Sequence, residues 1–385
     1  MLMVSHVFLQ SEVGDPYTIY NDRLSAQPIF WDERNQLWAM YSYQLCREVF
    51  MHPDAHIPPV ATAGLDEYAL AITARLARLS NPPMHAAAKQ AALLLFRQLQ
   101  EPRVQDIMLA LLPGQGVGPE IDWVNLVGRK LPVGSILQGF GMGREESIFI
   151  AGRMDALLTV MQPVKTAGQV AVINAIAKEV YTLLEEQLLL MSFIKEIINT
   201  LVPAHGISPE EALALCVSNL AGLLVQSYDA GRGLLGNALL QLLRHPVPRG
   251  AGPDYIQACV VETCRFDPPV HTTRRVAGQD MHPGGYAIQK GQMMLLVMAA
   301  ANRDVRQFKA PGLFDVGRHN NDEHLTFGLG AHACVAKAFS TRLATQALSF
   351  LFDTYAAVRL VEKKIEYEPL ANARVPRHVY IACSQ

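Results

Sequence analysis

The hydrophobic pattern divides the chain into a mixed beginning, a long helical middle and an irregular stretch before a last helix. Pro28 to Trp31 and Leu37 to Tyr41 are apolar runs around the polar turn Asp32-Glu33-Arg34-Asn35, which predicts a hairpin. Tyr43 to His52 reads as a helix stopped by Pro53. His56 to Leu65, with its prolines and Gly64, reads as loop. From Pro82 onward, apolar residues recur three and four apart. That spacing predicts helices over Met84–Leu99, Asp122–Phe140, Glu145–Val160 and Ala171–Leu201.

The clearest helix start is Ser208-Pro209-Glu210-Glu211: Ser caps, Pro fits the first position, and Glu211 sits where a capping box needs it. This helix is expected to run to Arg244, ahead of Pro246, a length of roughly 50 Å. Apolar on most sides, it should pass through a core. Gly222, Gly231, Gly233 and Gly236 each weaken it by up to about 1 kcal/mol, so together they predict close packing against its backbone. A further helix is expected over Tyr255–Phe266, then short strands at Thr272–Ala277, Tyr286–Ile288 and Met293–Val297. Asn302 to Gly330 reads as irregular, and a final helix follows Cys334. No repeat or linker-like tract interrupts these elements. The expectation is a mainly α fold with small β-sheets, a single domain over residues 1–385.

Composition narrows the class. Half of the 385 residues are hydrophobic and 18% are charged, which fits a globular protein with a large core. A net charge of −2 predicts no nucleic-acid or membrane partner. The best apolar run, Ala212 to Val225, contains Ser218 and Asn219 and falls short of the ~20 residues a span needs, so no membrane anchor is expected. Met1 to Gln10 lacks the marks of a signal peptide, and a cytoplasmic location is expected by default. The six cysteines form no CxxC pair. Cys259 and Cys264 lie in an apolar helical run and read as packing residues rather than zinc ligands.

One cysteine stands apart. In Phe327-Gly328-Leu329-Gly330-Ala331-His332-Ala333-Cys334, two glycines in four residues allow a tight loop whose N–H groups can face one sulfur. A helix starting after Cys334 would add its positive end and favour the thiolate. Phe327 can shield the site from water. On the cysteine alone, a buried structural thiol after a Gly turn is the favoured reading.

Taken together, these residues resemble the haem-binding loop of the cytochrome P-450 family, F-G-x-G-x-H-x-C-x-G, with Ala336 in place of the last Gly. Three more motifs follow the family's order. Glu262-Thr263-Cys264-Arg265 resembles the E-x-x-R pair, which i and i+3 spacing puts on one helix face. The family's third partner, a meander arginine, falls on Arg318. Pro82-Pro83-Met84-His85 with Lys89 resembles the helix start that holds a haem propionate; Lys for Arg keeps the charge but loses the fork. Arg275 falls where the family places another propionate arginine, and His332 is a third candidate. Asp15-Pro16-Tyr17 through Trp38, Tyr43 to Pro53, and Ala300-Ala301-Asn302-Arg303-Asp304 also resemble the soluble bacterial branch, so the resemblance spans nearly the whole chain.

The resemblance implies the family's fold, with the long helix lying over haem b, and Cys334 as iron ligand. It implies a monooxygenase using dioxygen, because a proximal thiolate favours O–O cleavage. It also implies a separate ferredoxin or flavodoxin with its reductase, since no flavin or iron–sulfur domain is fused. Lys89, Arg97, Lys337 and Arg342 are candidates for the docking face of that donor.

The long helix departs from the family. Aligned by Gly236-Asn237, the A-G-x-[DE]-T pattern falls on Gln226-Ser227-Tyr228-Asp229-Ala230. The acid is present as Asp229; the alcohol is replaced by Ala230. Gln226 and Ser227 replace the small Ala-Gly pair. A substrate hydroxyl, or water it holds, can stand in for the alcohol. Alternatively the enzyme couples or cyclises its substrate without inserting oxygen, or uses peroxide or rearranges substrate without dioxygen. A non-catalytic haem sensor is the remaining class.

The resemblance places substrate contacts in Pro58–Leu79, within Met154–Met191, at the centre of the long helix, in Val270–Thr273 and in Leu370–Arg374. Gln226, Ser227, Val270 and His271 are the nearest candidates, with Asn372 a further polar anchor. The largely apolar lining implies a sizeable apolar small molecule. Loss of the alcohol suggests a tailoring step in specialised metabolism, by analogy alone. The segment from Pro246 to Glu262 is shorter than the family's usual link, with the loop-like run Arg249 to Pro253 in it.

Overall fold

The computed structural model describes residues 5–112, 120–162, 164–245, 248, 252–361 and 363–384. Most of the loop-like run from Arg249 to Pro253 lies outside the described residues. The chain divides into two compact units. The first takes residues 1–56, 104–131 and 229–385; the second takes 57–103 and 132–228.

The first unit carries both sheets. The expected hairpin forms from Ile29–Asp32 and Leu37–Met40, with Ile29 opposite Met40. It joins a five-stranded sheet in the spatial order Ile29–Asp32, Leu37–Met40, Met293–Val297, Thr272–Ala277 and Ala55–His56. Leu37–Met40 and Met293–Val297 run parallel, and the other pairs are antiparallel. The helix Tyr43–Met51 caps on Ser42 and packs Leu45, Cys46, Val49 and Phe50 into the core on this sheet. Leu325, at the start of the cysteine loop, is buried in the same core. A second, three-stranded sheet pairs Ile121–Asp122, Tyr380–Ser384 and Ala357–Leu360. The helix Pro253–Phe266 packs on the last helix, Lys337–Thr354, which also meets Val104–Leu111.

The second unit is helical. Glu67–Ala74 and Met154–Thr159 pack on Ala167–Leu190, and Ile194–His205 packs on Met84–Gln98. Asn81 ties the entry to Met84–Gln98 by bridging both backbone groups of Ile57 at 2.8 Å.

The long helix runs from Pro209 to Arg244, as its caps predict. Ser208 Oγ accepts from the Glu211 N–H at 3.2 Å. The Glu211 carboxylate does not close the reciprocal capping box; it takes a two-pronged bond from Arg75, both arms 2.8 Å. A buried-edge guanidinium outcompetes a backbone N–H for that carboxylate because the bond is charge-assisted. The glycines mark close approach, as their number predicts. A Cβ on Gly222 would lie 1.9 Å from Leu76 Cδ1, and one on Gly233 would lie 2.7 Å from Pro269 Cβ.

Several expected helices are broken. Asp122–Phe140 begins as the strand Ile121–Asp122, passes through a π-turn at Val124–Gly128 and becomes α-helix only over Leu131–Gly139. Strand pairing with Tyr380 and Ile381 takes the first residues, and periodicity alone does not report that partner. Glu145–Val160 is two helices, Arg144–Ala151 and Met154–Thr159, parted at Gly152-Arg153. Ala171–Leu201 is Ala167–Leu190 and Ile194–His205, bent by 100°. Extended backbone at Met191 makes that corner while the sequence stays apolar across it. Tyr286–Ile288 forms no strand, only a bridge from Ile288 to Met281 around the turn Pro283–Gly285. No single described helix is long and apolar enough to cross a membrane; only the bent pair Ala167–Leu190 with Ile194–His205 passes by length and composition together.

Candidate active site

The cysteine loop is built by its two glycines. Gly328 and Gly330 take φ of +65° and +67°, where a side chain is strained. Gly330 also approaches the Phe50 carbonyl so closely that a Cβ would sit 2.7 Å from it. The loop closes where the Cys334 N–H donates to the Phe327 carbonyl at 2.8 Å and the Ala333 N–H to Gly330 at 3.1 Å. The Ala336 N–H then points at Cys334 Sγ, 3.4 Å away, and the helix Lys337–Thr354 follows. Ala336 adopts φ −99°, which any L-residue accommodates, so its methyl group is tolerated where the family pattern has Gly.

Cys334 is the one exposed cysteine of the six; the others are buried. Burial pushes the Cys216 and Cys264 thiols up to about 12 and holds them inert. Phe327 is half-buried beside the loop, its ring 5.6 Å from that of His324. His332 sits half-buried in the turn Gly330–His332.

Behind the loop lies a fully buried ionic cluster. Arg265 grips Glu262 with Nη2 at 2.6 Å and Nε at 2.9 Å, and both side chains have no exposure. Arg318 Nε reaches the same carboxylate at 3.5 Å, and the Asp315 N–H donates to it at 3.0 Å. The remaining guanidinium hydrogens go to carbonyls of Asn302, Pro311 and Leu313 from Arg265, and of Lys309, Ala310 and Leu313 from Arg318. A buried charge is tolerable only when its partners are satisfied in this way. The sequence pair and its meander arginine are thus brought together.

Asn302 and Thr326 tie this cluster to the loop, and residue patterning did not single them out. Asn302 Nδ2 donates to Thr326 Oγ1 at 2.9 Å, and Asn302 Oδ1 accepts from the Leu325 N–H at 2.7 Å. Thr326 Oγ1 donates to the Cys264 carbonyl at 2.5 Å. The only available signal was Asn302 inside the run Ala300 to Asp304.

Arg275, also in the first unit, is buried on the strand Thr272–Ala277, with its guanidinium 5.2 Å from the Phe50 ring centre. It donates to Thr273 Oγ1 and the Arg274 carbonyl. In the second unit, His85 is buried with Nδ1 3.1 Å from the Ala77 carbonyl, so Nδ1 carries a proton. Lys89 follows one turn later, half-buried.

The long helix has a single window. Between Leu215 and Leu242 every residue is buried except Gln226, Ser227, Asp229, Ala230 and Gly231. Within it, Gln226 Nε2 donates back to the Gly222 carbonyl at 2.9 Å, and Ser227 Oγ to Leu224 at 2.9 Å. Asp229 Oδ1 takes Arg232 Nε at 3.0 Å and Nη2 at 2.7 Å. The window includes Gln226, Ser227, Asp229 and Ala230, the long-helix residues singled out from sequence.

Val270 is half-buried, bridges to Ala373 and packs on the sheet core. His271 corrects its expectation as a substrate contact. The ring has no exposure, and its two nitrogens lie 3.4 Å from Tyr17 Oη and 3.0 Å from Tyr20 Oη. Burial, then Arg374 and Arg303, push its imidazole well down, and its role is core packing. Asn372 contributes its carbonyl, which accepts from the His271 and Thr272 N–H groups.

Comparison with known proteins identifies this arrangement. Residues 254–373, from the helix carrying Glu262 to the bridge at Ala373, match the family described as Cytochrome P-450. Over 369 residues the chain is 26% identical to the Bacillus subtilis cytochrome P-450 YjiB, covering 90% of this chain and 89% of that one. The chain belongs to the cytochrome P-450 family. It is 26% identical over 293 residues to the 6-deoxyerythronolide B hydroxylase of Saccharopolyspora erythraea, 73% of this chain and 70% of that one. Its fold matches a crystal structure of P450BioI, solved with an acyl carrier protein ligated to hexadec-9Z-enoic acid. That match has a TM-score of 0.79 at 20% identity and covers 96% and 98% of the two chains. The enzyme is therefore of the cytochrome P-450 monooxygenase family, whose members bind haem through a cysteine thiolate. This chain's residues fit that group: one exposed cysteine with a backbone N–H on its sulfur, and a half-open window in an otherwise buried helix.

Proposed function

We propose that residues 1–385 act as one haem-thiolate domain oxidising a mainly apolar small molecule. The observation that carries the reading is the loop that holds Cys334 exposed, with the Ala336 N–H on its sulfur. Haem b ligated there supplies the oxygen-activating chemistry of the family. Phe327 excludes water from the sulfur, and Gly328 and Gly330 set the loop. His85, Lys89, Arg275 and His332 hold the propionates. His85 Nδ1 faces the Ala77 carbonyl, so Nε2 is the nitrogen turned to a propionate. Gln226, Ser227 and Val270 line the substrate.

Asp229 is the acid of the site, and its Oδ2 is the oxygen that exchanges a proton. No hydroxyl stands at Ala230, so the substrate's own hydroxyl, or a water bound to it, completes proton delivery. A second reading has a specific observation behind it: the grip of Arg232 on Asp229 favours oxidative coupling or cyclisation without oxygen insertion. Electrons come from a separate ferredoxin or flavodoxin with its reductase, docking near Lys337 and Arg342. The setting is a cytoplasmic tailoring step in specialised metabolism, in keeping with a relative that is named a hydroxylase of 6-deoxyerythronolide B.

Replacing Cys334 with Ser tests the first claim. The thiolate-type ferrous carbon monoxide spectrum should vanish, and its persistence would remove the assignment. Substrate assistance is tested by comparing peroxide leakage with the true substrate and an analogue lacking the nearby hydroxyl; equal coupling sinks it.

A further inference from the structure

The distal acid is not alone in this chain. Arg232, one turn after Asp229 on the long helix, is almost completely buried, with its side chain 6% exposed. Two of its nitrogens hold the same oxygen of Asp229, at 3.0 and 2.7 Å, while Nη1 holds Glu368 Oε1 at 3.0 Å. Glu368 is in turn bracketed by Arg129 Nη2 at 3.3 Å on Oε1 and Arg377 Nε at 3.4 Å on Oε2. Two carboxylates and three guanidinium groups form one line, from the window of the long helix to the half-exposed Arg377. All five belong to the first unit. Gly128 packs on the arginine's stem: a Cβ there would lie 3.3 Å from Arg232 Cβ, which limits where the guanidinium can go.

An arginine at the middle of a buried helix is costly unless its charge is matched. Here one carboxylate lies on either side. The pair with Asp229 is local, i to i+3, and leaves that side chain free to swing if Arg232 moves. Glu368 is 136 positions away in sequence and fixes Arg232 from outside the helix. Holding Asp229 by one oxygen alone also orients the second.

We propose that Arg232, fixed by Glu368, is the positioning residue for Asp229, setting the direction of its carboxylate where the neighbouring alcohol is missing. This rests on the reading of Asp229 as the acid facing the haem. Arg232 neither touches substrate nor moves a proton; it acts through Asp229. Glu368 carries the constraint from the protein frame, and Arg129 and Arg377 hold Glu368 in place.

The test uses the haem-loaded enzyme with carbon monoxide as probe, because the C–O stretching band of the ferrous adduct reports the local field. Asp229→Asn, Arg232→Gln, Arg232→Lys and Glu368→Gln are compared with the parent, alongside thermal melting of each. The expected result is a shift and broadening of the band in D229N and R232Q. R232K should return it toward the parent position, and E368Q should shift it less than R232Q while leaving the haem bound. If R232Q loses haem, the E368Q band decides in its place. A band moved by D229N but unchanged in E368Q, and in R232Q where it folds, overturns the positioning role and leaves the distal acid intact. A band that D229N does not move removes Asp229 from the haem side, and the earlier reading fails with it. A melting loss without any band change marks Arg232 as structural only.

Discussion

The cysteine loop and the window in the long helix solve opposite problems. Behind the loop the buried charges are committed: Glu262 binds Arg265 and Arg318, these hold a ring of carbonyls, and Asn302 and Thr326 join that ring to the loop. In the window, polar side chains are half-open and bond mostly to their own helix or to Arg232. The first arrangement fixes a position and tolerates little change. The second leaves space, and its polar groups can change partners without unpairing a fully buried charge. Within one cytochrome P-450, the cysteine loop is thus built rigidly, while the window of the long helix is built to vary.

The largest expected effect comes from breaking the rigid region. Glu262→Gln removes the buried charge that Arg265 and Arg318 share. Unpairing a buried ion pair costs about 3–5 kcal/mol, so the variant should lose most of its folded, haem-binding fraction. Chemical denaturation with the haem band as second probe checks this. A midpoint within error of the parent would refute the contrast.

Acid should act on the same region next. Burial, then Lys337 and Arg265, push the His324 imidazole down to about 3 from 6.5. The unfolded chain takes up a proton below 6.5 and the folded chain does not until about 3. The stability His324 contributes is therefore complete above 6.5 and is lost as pH falls toward 3, by up to about 1.4 kcal/mol per pH unit. His271, pushed down by burial, adds in the same direction. Urea midpoints at pH 7.5 and 4.5 should differ clearly, and His324→Gln should flatten part of the slope.

Packing on the long helix should matter less. Gly233→Ala would place a Cβ 2.7 Å from Pro269, whose ring cannot turn aside, and overpacking of this kind costs about 1–3 kcal/mol. Thermal melting reads it directly.

What the sequence revealed follows the same division. The cysteine loop was legible because its geometry is local: two glycines at positive φ and a helix start within ten residues. The Glu262–Arg265 pair was legible because i and i+3 share a face, and the long helix because Ser208 and Pro209 mark its start. Arg318 was legible only through resemblance, being 56 positions from Glu262. Asn302, Thr326 and Glu368 act on distant partners, and no periodicity reports them. Periodicity also failed where a turn stays apolar, as at Met191 between two helices read as one. His271 was misread for a related reason: its position near the substrate strand was visible, and the tyrosine hydroxyls that enclose it were not.

The smallest stability effect, and the sharpest test of the comparison, is Ala230→Thr. Ala230 lies in the window and is not fully buried, so two added heavy atoms meet partial space rather than a packed wall. A half-open site with no special feature should change by no more than about 0.5 kcal/mol. The chemistry should respond differently according to who supplies the proton. If the substrate's hydroxyl already fills that role, a threonine hydroxyl is redundant, and coupling of electrons to product stays within twofold of the parent. If the enzyme merely tolerates a defect, restoring the alcohol lowers peroxide release severalfold with every substrate tried. If it is built for coupling without oxygen insertion, the threonine should instead add hydroxylated product that the parent does not make. Product analysis and peroxide release, measured on the same samples, separate the three outcomes, and a melting loss above 2 kcal/mol would show that the window is as rigid as the loop.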